Sequence, residues 1–207
     1  MPLDQVDVDN YEQQQEKEMS FLEHLEELRW HLLRSVASII VFGTAVFLAK
    51  DLVFDTILFG PRYKEFLTYQ AICGFSDLIG LGETLCFYPP DLEIIIVELG
   101  EVFFTHLKIS VIVGFALAFP YIFWELWRFI RPGLYEKEQK ATRGVVLICS
   151  GLFLAGMLFG YFVISPFAVS FLAGYPLPGI DQATVSLSSY VNYMIMFTVP
   201  AGLIFEL

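Results

Sequence analysis

Ser20-Phe21-Leu22-Glu23-His24-Leu25-Glu26-Glu27-Leu28-Arg29 is the stretch on which the chain turns. Ser20, with Glu23 three residues later, forms a capping box, so a helix starts here. Phe21, Leu22, Leu25, Leu28 and Leu32 recur every three or four residues and make one apolar stripe. Glu23 and Glu27, one turn apart, share another face. Glu23, Glu26 and Glu27 together put three acids at the edge of an oily segment. Anionic lipid headgroups repel such a cluster, whereas a cationic partner arriving at the membrane surface suits it. A solvated helix face with Arg29 beside the acids is the plain alternative, and for an isolated charged helix it usually holds. A second acidic cluster on the same side of the membrane tips the balance.

The composition bounds the class. Of 207 residues, 56% are hydrophobic and 21 are Phe, and the mean hydropathy is +0.62. Soluble chains average about 45–50% apolar residues. Long uncharged runs mark this one as a polytopic membrane protein. The net charge of -11 argues against nucleic acid, whose phosphates need basic residues. Nine of the 23 acids lie in the first 34 residues. Residues 1–19 are acidic and Gln-rich, lack the basic and apolar regions of a signal peptide, and read as a disordered tail. Cys149 lies in an apolar run as a packing residue. Cys73 and Cys86 lie in the first long loop. An oxidising compartment there would favour a disulfide over two free thiols, but spacing alone does not fix the pairing.

Four spans are expected, at about 30–49, 107–127, 144–173 and 190–207. The loop 50–106 carries an interfacial apolar turn around Leu52–Phe59, a Gly-rich section, and Leu92–Val97 as a strand or extended segment. Pro120 should kink the second span. The third holds 30 uncharged residues, so it should tilt, bend near Pro166 or project beyond the membrane. Gly156 and Gly160 form a GxxxG that permits close helix contact. The fourth span holds Pro200 and Glu206 and stops at Leu207 without a polar flank, which reads as a chain cut short. Five of the 12 Lys and Arg lie between Arg128 and Arg143, and the loop 174–190 has none. The positive-inside rule therefore places the N-terminus and the 128–143 loop in the cytoplasm, and the cysteine loop outside.

Glu26/Glu27 and Glu136/Glu138 then share the cytoplasmic face. A two-carboxylate site suits a ligand with two guanidinium groups, because the planar fork of Arg meets a carboxylate bidentately and Lys cannot copy it. Three stretches carry a resemblance: Phe21 to Arg29; Phe103-Phe104-Thr105-His106-Leu107-Lys108 with Pro120; and Trp127-Arg128-Phe129-Ile130-Arg131-Pro132-Gly133-Leu134-Tyr135-Glu136-Lys137-Glu138. In this order they resemble the TatC family, the signal-peptide receptors of the twin-arginine protein translocase, over residues 20–207 and most weakly across 60–98. The resemblance implies an all-α polytopic protein with a concave helical arrangement. Four of the family's six spans are visible here. It implies that Glu27 and Glu138 meet the paired arginines of a signal peptide, with Arg29, Phe129, Pro132, Leu134 and Tyr135 shaping the site. It implies that Glu206 is the intramembrane acid facing the small partner subunits TatA and TatB. The family commonly has Gln where Glu125 stands, so either Glu125 and Glu206 share a proton or one of them stays neutral.

The expected protein is an inner-membrane receptor, oligomeric in its assembled complex. It binds twin-arginine signal peptides and nucleates export of folded proteins on the proton-motive force. It has no enzymatic activity and no cofactor or metal, since no nucleotide loop, ligand set or nucleophile–base pair stands out. His24, His31 and His106 read as capping or packing residues. Glu125 reads equally as an ion pair with Arg128, Lys108 as a snorkelling cation, and Trp124/Trp127 and Tyr190/Tyr193 as interface anchors. The rival is a proton-coupled secondary transporter with Glu125 and Glu206 as a relay, though the internal hydropathy repeats it calls for are not seen. A ligand-free scaffold leaves both surface acid clusters unexplained.

Overall fold

The computed structural model describes residues 21–80, 86, 92–131, 144–175 and 184–207, with side chains from Leu25 onward. Long uncharged sequence runs become long helices, because only a helix satisfies every backbone group without water. Helix α1 spans Phe21–Leu48, and Ser20 of the expected capping box lies outside the described residues. Helix α2 spans Leu67–Ile79, α3 Glu101–Ile130, α4 Val145–Phe159, α5 Ser165–Gly174 and α6 Leu187–Ile204. Four segments are long and apolar enough to cross a membrane: Leu25–Leu48, Glu101–Ile130, Val145–Gly174 and Leu187–Ile204. Their outer surfaces stay apolar, with Leu32, Ile40, Val41, Phe104, Leu147 and Phe171 all exposed. The second segment starts at Glu101 rather than about Leu107. Gly100, at a φ of 84°, sets the helix start.

Small residues let the helices approach. A Cβ on Gly114 would fall 2.6 Å from the Cα of Gly43, so α1 and α3 touch backbone to backbone there. A Cβ on Gly156 would meet the Ala201 carbonyl at 2.7 Å, and one on Gly160 the Phe197 carbonyl at 2.7 Å. The GxxxG is thus the contact between the third and fourth spans.

Pro166 leaves its mark on the third span. Its nitrogen cannot donate, and a π-helical stretch, Gly160–Ile164, separates α4 from α5 just before it. Ser165 returns a hydrogen bond from its hydroxyl to the Gly160 carbonyl at 2.9 Å. The Phe162 carbonyl, four residues before the proline, instead accepts from Thr68 Oγ1 at 2.5 Å. That bond docks the start of α2 on the third span.

The described residues of the loop between the first two spans form short regular elements. Leu52–Leu58 is a π-helical stretch and Gly60–Arg62 a 3-10 turn. Three tyrosine hydroxyls close their carbonyl ends: Tyr161 donates to Ile57 at 2.5 Å, Tyr190 to Leu58 at 3.1 Å and Tyr69 to Pro61 at 2.9 Å. Burial pushes the Tyr69 phenol above its ordinary pKa, which keeps it a donor. Tyr190, expected as an interface anchor, is buried, while Tyr193 is exposed. Strand β1 (Glu93–Ile95) pairs in parallel with β2 (Thr184–Ser186), from Glu93 opposite Thr184 to Ile95 opposite Ser186. The expected extended run therefore has a partner in the loop before the fourth span. Cys73 is bonded to Cys86, with Cα atoms 4.9 Å apart, so α2 is tied to the segment that leads to β1. Val53, Leu58, Ile109, Val169, Tyr190, Val191 and Met194 pack as the core between these loops and the adjoining span ends.

Candidate functional site

At the other end of α1 and α3 a polar cluster forms between two apolar helices. Glu125 lies four residues after Tyr121, on the same face of α3, and is 1% exposed. A buried carboxylate needs partners on both oxygens. Tyr121 donates to Oε1 at 2.9 Å, and His31 Nδ1 sits in hydrogen-bond contact with Oε2. His31, one turn after Glu27 on α1, is itself buried. Its second nitrogen, Nε2, faces Glu27 Oε1 at 3.9 Å. The Phe129 ring meets the imidazole edge-on at a centroid distance of 6.0 Å. Arg34 lies close enough to act electrostatically on both Glu125 and Tyr121.

Glu27 is half-buried, and Glu26 and Arg29 beside it are exposed. Phe129, Glu27 and Glu125 are thus gathered around one histidine. Pro132, Leu134, Tyr135, Glu136 and Glu138 lie outside the described residues. The expected pairing of Glu125 with Arg128 gives way to the His31–Tyr121 pair, and Arg128 lies over the Trp124 ring, 5.6 Å from its centroid. His31, read as a capping or packing residue, is the hub of the cluster. Its i, i+4 relation to Glu27 was visible in the sequence, but its contact with Glu125 spans 94 residues and carries no local pattern.

Glu206 follows the end of α6, and its Oε1 is buried without a hydrogen-bond partner. Its side chain interacts with the Cys149 thiol on α4. Glu125 and Glu206 therefore have separate partners, and a shared proton between them has no direct contact to travel through. Lys108, read as snorkelling, donates to Asn192 Oδ1 at 2.9 Å and links α3 to α6. His106 stacks on Phe47 at 4.2 Å, a packing role. At the opposite end of α3, the Glu101 carboxylate accepts from the backbone of Val97 at 2.7 Å, Glu98 at 3.2 Å and Ser188 at 2.7 Å. It ties the β pair to the start of α6, a role its sequence position did not signal. Among the described residues no group of His, Cys, Asp and Glu could hold a metal.

The family model for "Sec-independent protein translocase protein (TatC)" matches residues 23–207. A Sec-independent protein translocase protein TatC of Blattabacterium sp. subsp. Periplaneta americana is 34% identical over 192 residues, covering 92% of this chain and 72% of that protein. A TatC of Desulforapulum autotrophicum is 33% identical, covering 93% of this chain and 63% of that protein. A TatC of Aquifex aeolicus is 30% identical, covering 91% and 69%. The chain thus spans 63% to 72% of the length of these relatives. A crystal structure of the twin-arginine translocase receptor TatC superposes with a TM-score of 0.68 at 31% identity, covering 89% of this chain and 71% of that one. With the shared helical membrane architecture and the match across residues 23–207, this chain belongs to the TatC family of Sec-independent protein translocase proteins.

Proposed function

We propose that this chain is the receptor component of a twin-arginine translocase, seated in the bacterial inner membrane with its N-terminus in the cytoplasm. It binds the paired arginines of a signal peptide at an acidic site and nucleates export of folded cargo on the proton-motive force. The observation that carries the reading is Glu27. It is a half-exposed carboxylate at the membrane end of α1, flanked by Glu26 and by the Phe129 ring through His31. Glu138 is the second acid, and Arg29, Pro132, Leu134 and Tyr135 complete the site. Glu206 meets polar groups on single-span partner subunits of the TatA and TatB type, a role that suits a half-buried acid with one oxygen lacking a hydrogen-bond partner. The role is recognition and scaffolding, without covalent chemistry.

The test is binding of a labelled twin-arginine peptide to purified chain, with a twin-lysine peptide as control. A bidentate Arg–carboxylate contact contributes about 1.5–3 kcal/mol. Glu27→Ala and Glu138→Ala should each weaken binding at least tenfold and leave the helical content unchanged. Equal binding of the two peptides, or unaffected binding by both variants, overturns the proposal.

A further inference from the structure

Glu125 is an odd residue for an apolar span, and the peptide-binding reading does not use it. Both of its oxygens are engaged, one by Tyr121 and one by His31. The contact with Nδ1 fixes the imidazole plane, which turns Nε2 toward Glu27. Phe129 packs edge-on against the ring at a centroid distance of 6.0 Å. A run of groups therefore leads from the interior of α3, through His31, to the half-exposed acid on α1. The last step, at 3.9 Å, is too long for a hydrogen bond. The contact is an ion pair when the ring carries its second proton, and it leaves the carboxylate's lone pairs open to a guanidinium. Glu27 and Glu125 are the acids against the imidazole, Tyr121 bonds the far oxygen of Glu125, Arg34 acts on both Tyr121 and Glu125, and Arg128 acts on Tyr121.

We infer that Glu125 is a positioning residue for signal-peptide recognition: acting through His31, it holds Glu27 in the rotamer that receives an arginine. The inference rests on the receptor reading above. Preordering a glutamate side chain removes rotamer freedom that binding would otherwise have to freeze, an effect on the order of tenfold in affinity. Leu at position 125 keeps an apolar helix but frees the imidazole. Gln keeps an oxygen that accepts the Nδ1 proton.

The experiment titrates labelled twin-arginine peptide onto purified wild-type chain and the variants Glu27→Ala, Glu125→Leu, Glu125→Gln, His31→Ala and the Glu125→Leu/His31→Ala double. Glu125→Leu should weaken binding about tenfold, and Glu125→Gln should restore most of that loss. His31→Ala should weaken binding by a similar factor, and the double variant should be no weaker than His31→Ala alone. A general loss of structure would give no recovery with Gln. Direct contact between Glu125 and the peptide would make the two losses multiply. Either result, or wild-type affinity in Glu125→Leu while Glu27→Ala is impaired, overturns the positioning role alone. Wild-type affinity in Glu27→Ala overturns the receptor site and the positioning role together.

Discussion

Single residues decide which polar groups the apolar interior tolerates. Glu125 is satisfied on both oxygens, whereas Glu206 keeps one buried oxygen vacant. The first suits a fixed internal brace and the second suits a group awaiting a partner. Thr68 shows the same logic for the backbone. Pro166 denies the Phe162 carbonyl its helical donor, and the Thr68 hydroxyl supplies one from another element. Thr68→Val keeps the shape and removes the donor. Losing a hydrogen bond at this half-buried carbonyl costs about 0.5–1.5 kcal/mol, so the variant should unfold at a lower temperature in detergent. Thr68→Ser should unfold close to wild type. An unchanged midpoint in Thr68→Val would show that water serves the carbonyl instead. At this scale the position of Glu27 at the end of α1 was legible, because charge at the edge of an apolar stripe is a local signal. The role of His31 was not, since its decisive partner is 94 positions away.

Elements meet where side chains are missing. Gly156 and Gly160 lie against the backbone of α6 with no room for a methyl group, and Gly202 of α6 lies equally close to Met157. A GxxxG in an apolar helix is often idle, and only the carbonyls of Phe197 and Ala201 opposite show that this one is used. Gly160→Leu should force the third and fourth spans apart. Overpacking of this kind costs about 1–3 kcal/mol or more, and the variant should lose thermal stability and yield. Gly151→Leu, on a helix face with open space around it, is the matched control. Equal behaviour of the two variants would place the contact elsewhere. Helix α2 went unseen in the sequence for a related reason. Gly74 and Gly80 belong to the Gly-rich section of the loop, yet Gly74 sits inside the helix and Gly80, at a φ of 77°, ends it in the left-handed conformation. The β1–β2 pair was half seen, because three-residue strands carry almost no period and the partner lies in a different loop.

For the whole molecule, uncharged runs made the membrane architecture readable, while the long-range ties between loops were hidden. Those ties now give the orientation a direct test. The Cys73–Cys86 bond, Glu101 and the β pair all sit on the side of the 50–106 loop, and Glu27, His31 and Glu125 sit at the opposite end of α1 and α3. The positive residues between Arg128 and Arg143 are the ground for proposing that the second side is cytoplasmic. A disulfide persists in an oxidising compartment and not in a reduced one, so the cysteine side should face outward. Closing a loop of this size restricts the unfolded chain by about 3 kcal/mol. Leu99 is fully exposed near β1, and Arg131 is exposed at the far end of α3. In a Cys149→Ser background, a single cysteine placed at Leu99 should react with a membrane-impermeant maleimide in intact cells. One placed at Arg131 should react only after the membrane is opened. The reverse pattern would put Glu27 on the outer surface, where no signal peptide waits for export, and the receptor reading would fall with the topology.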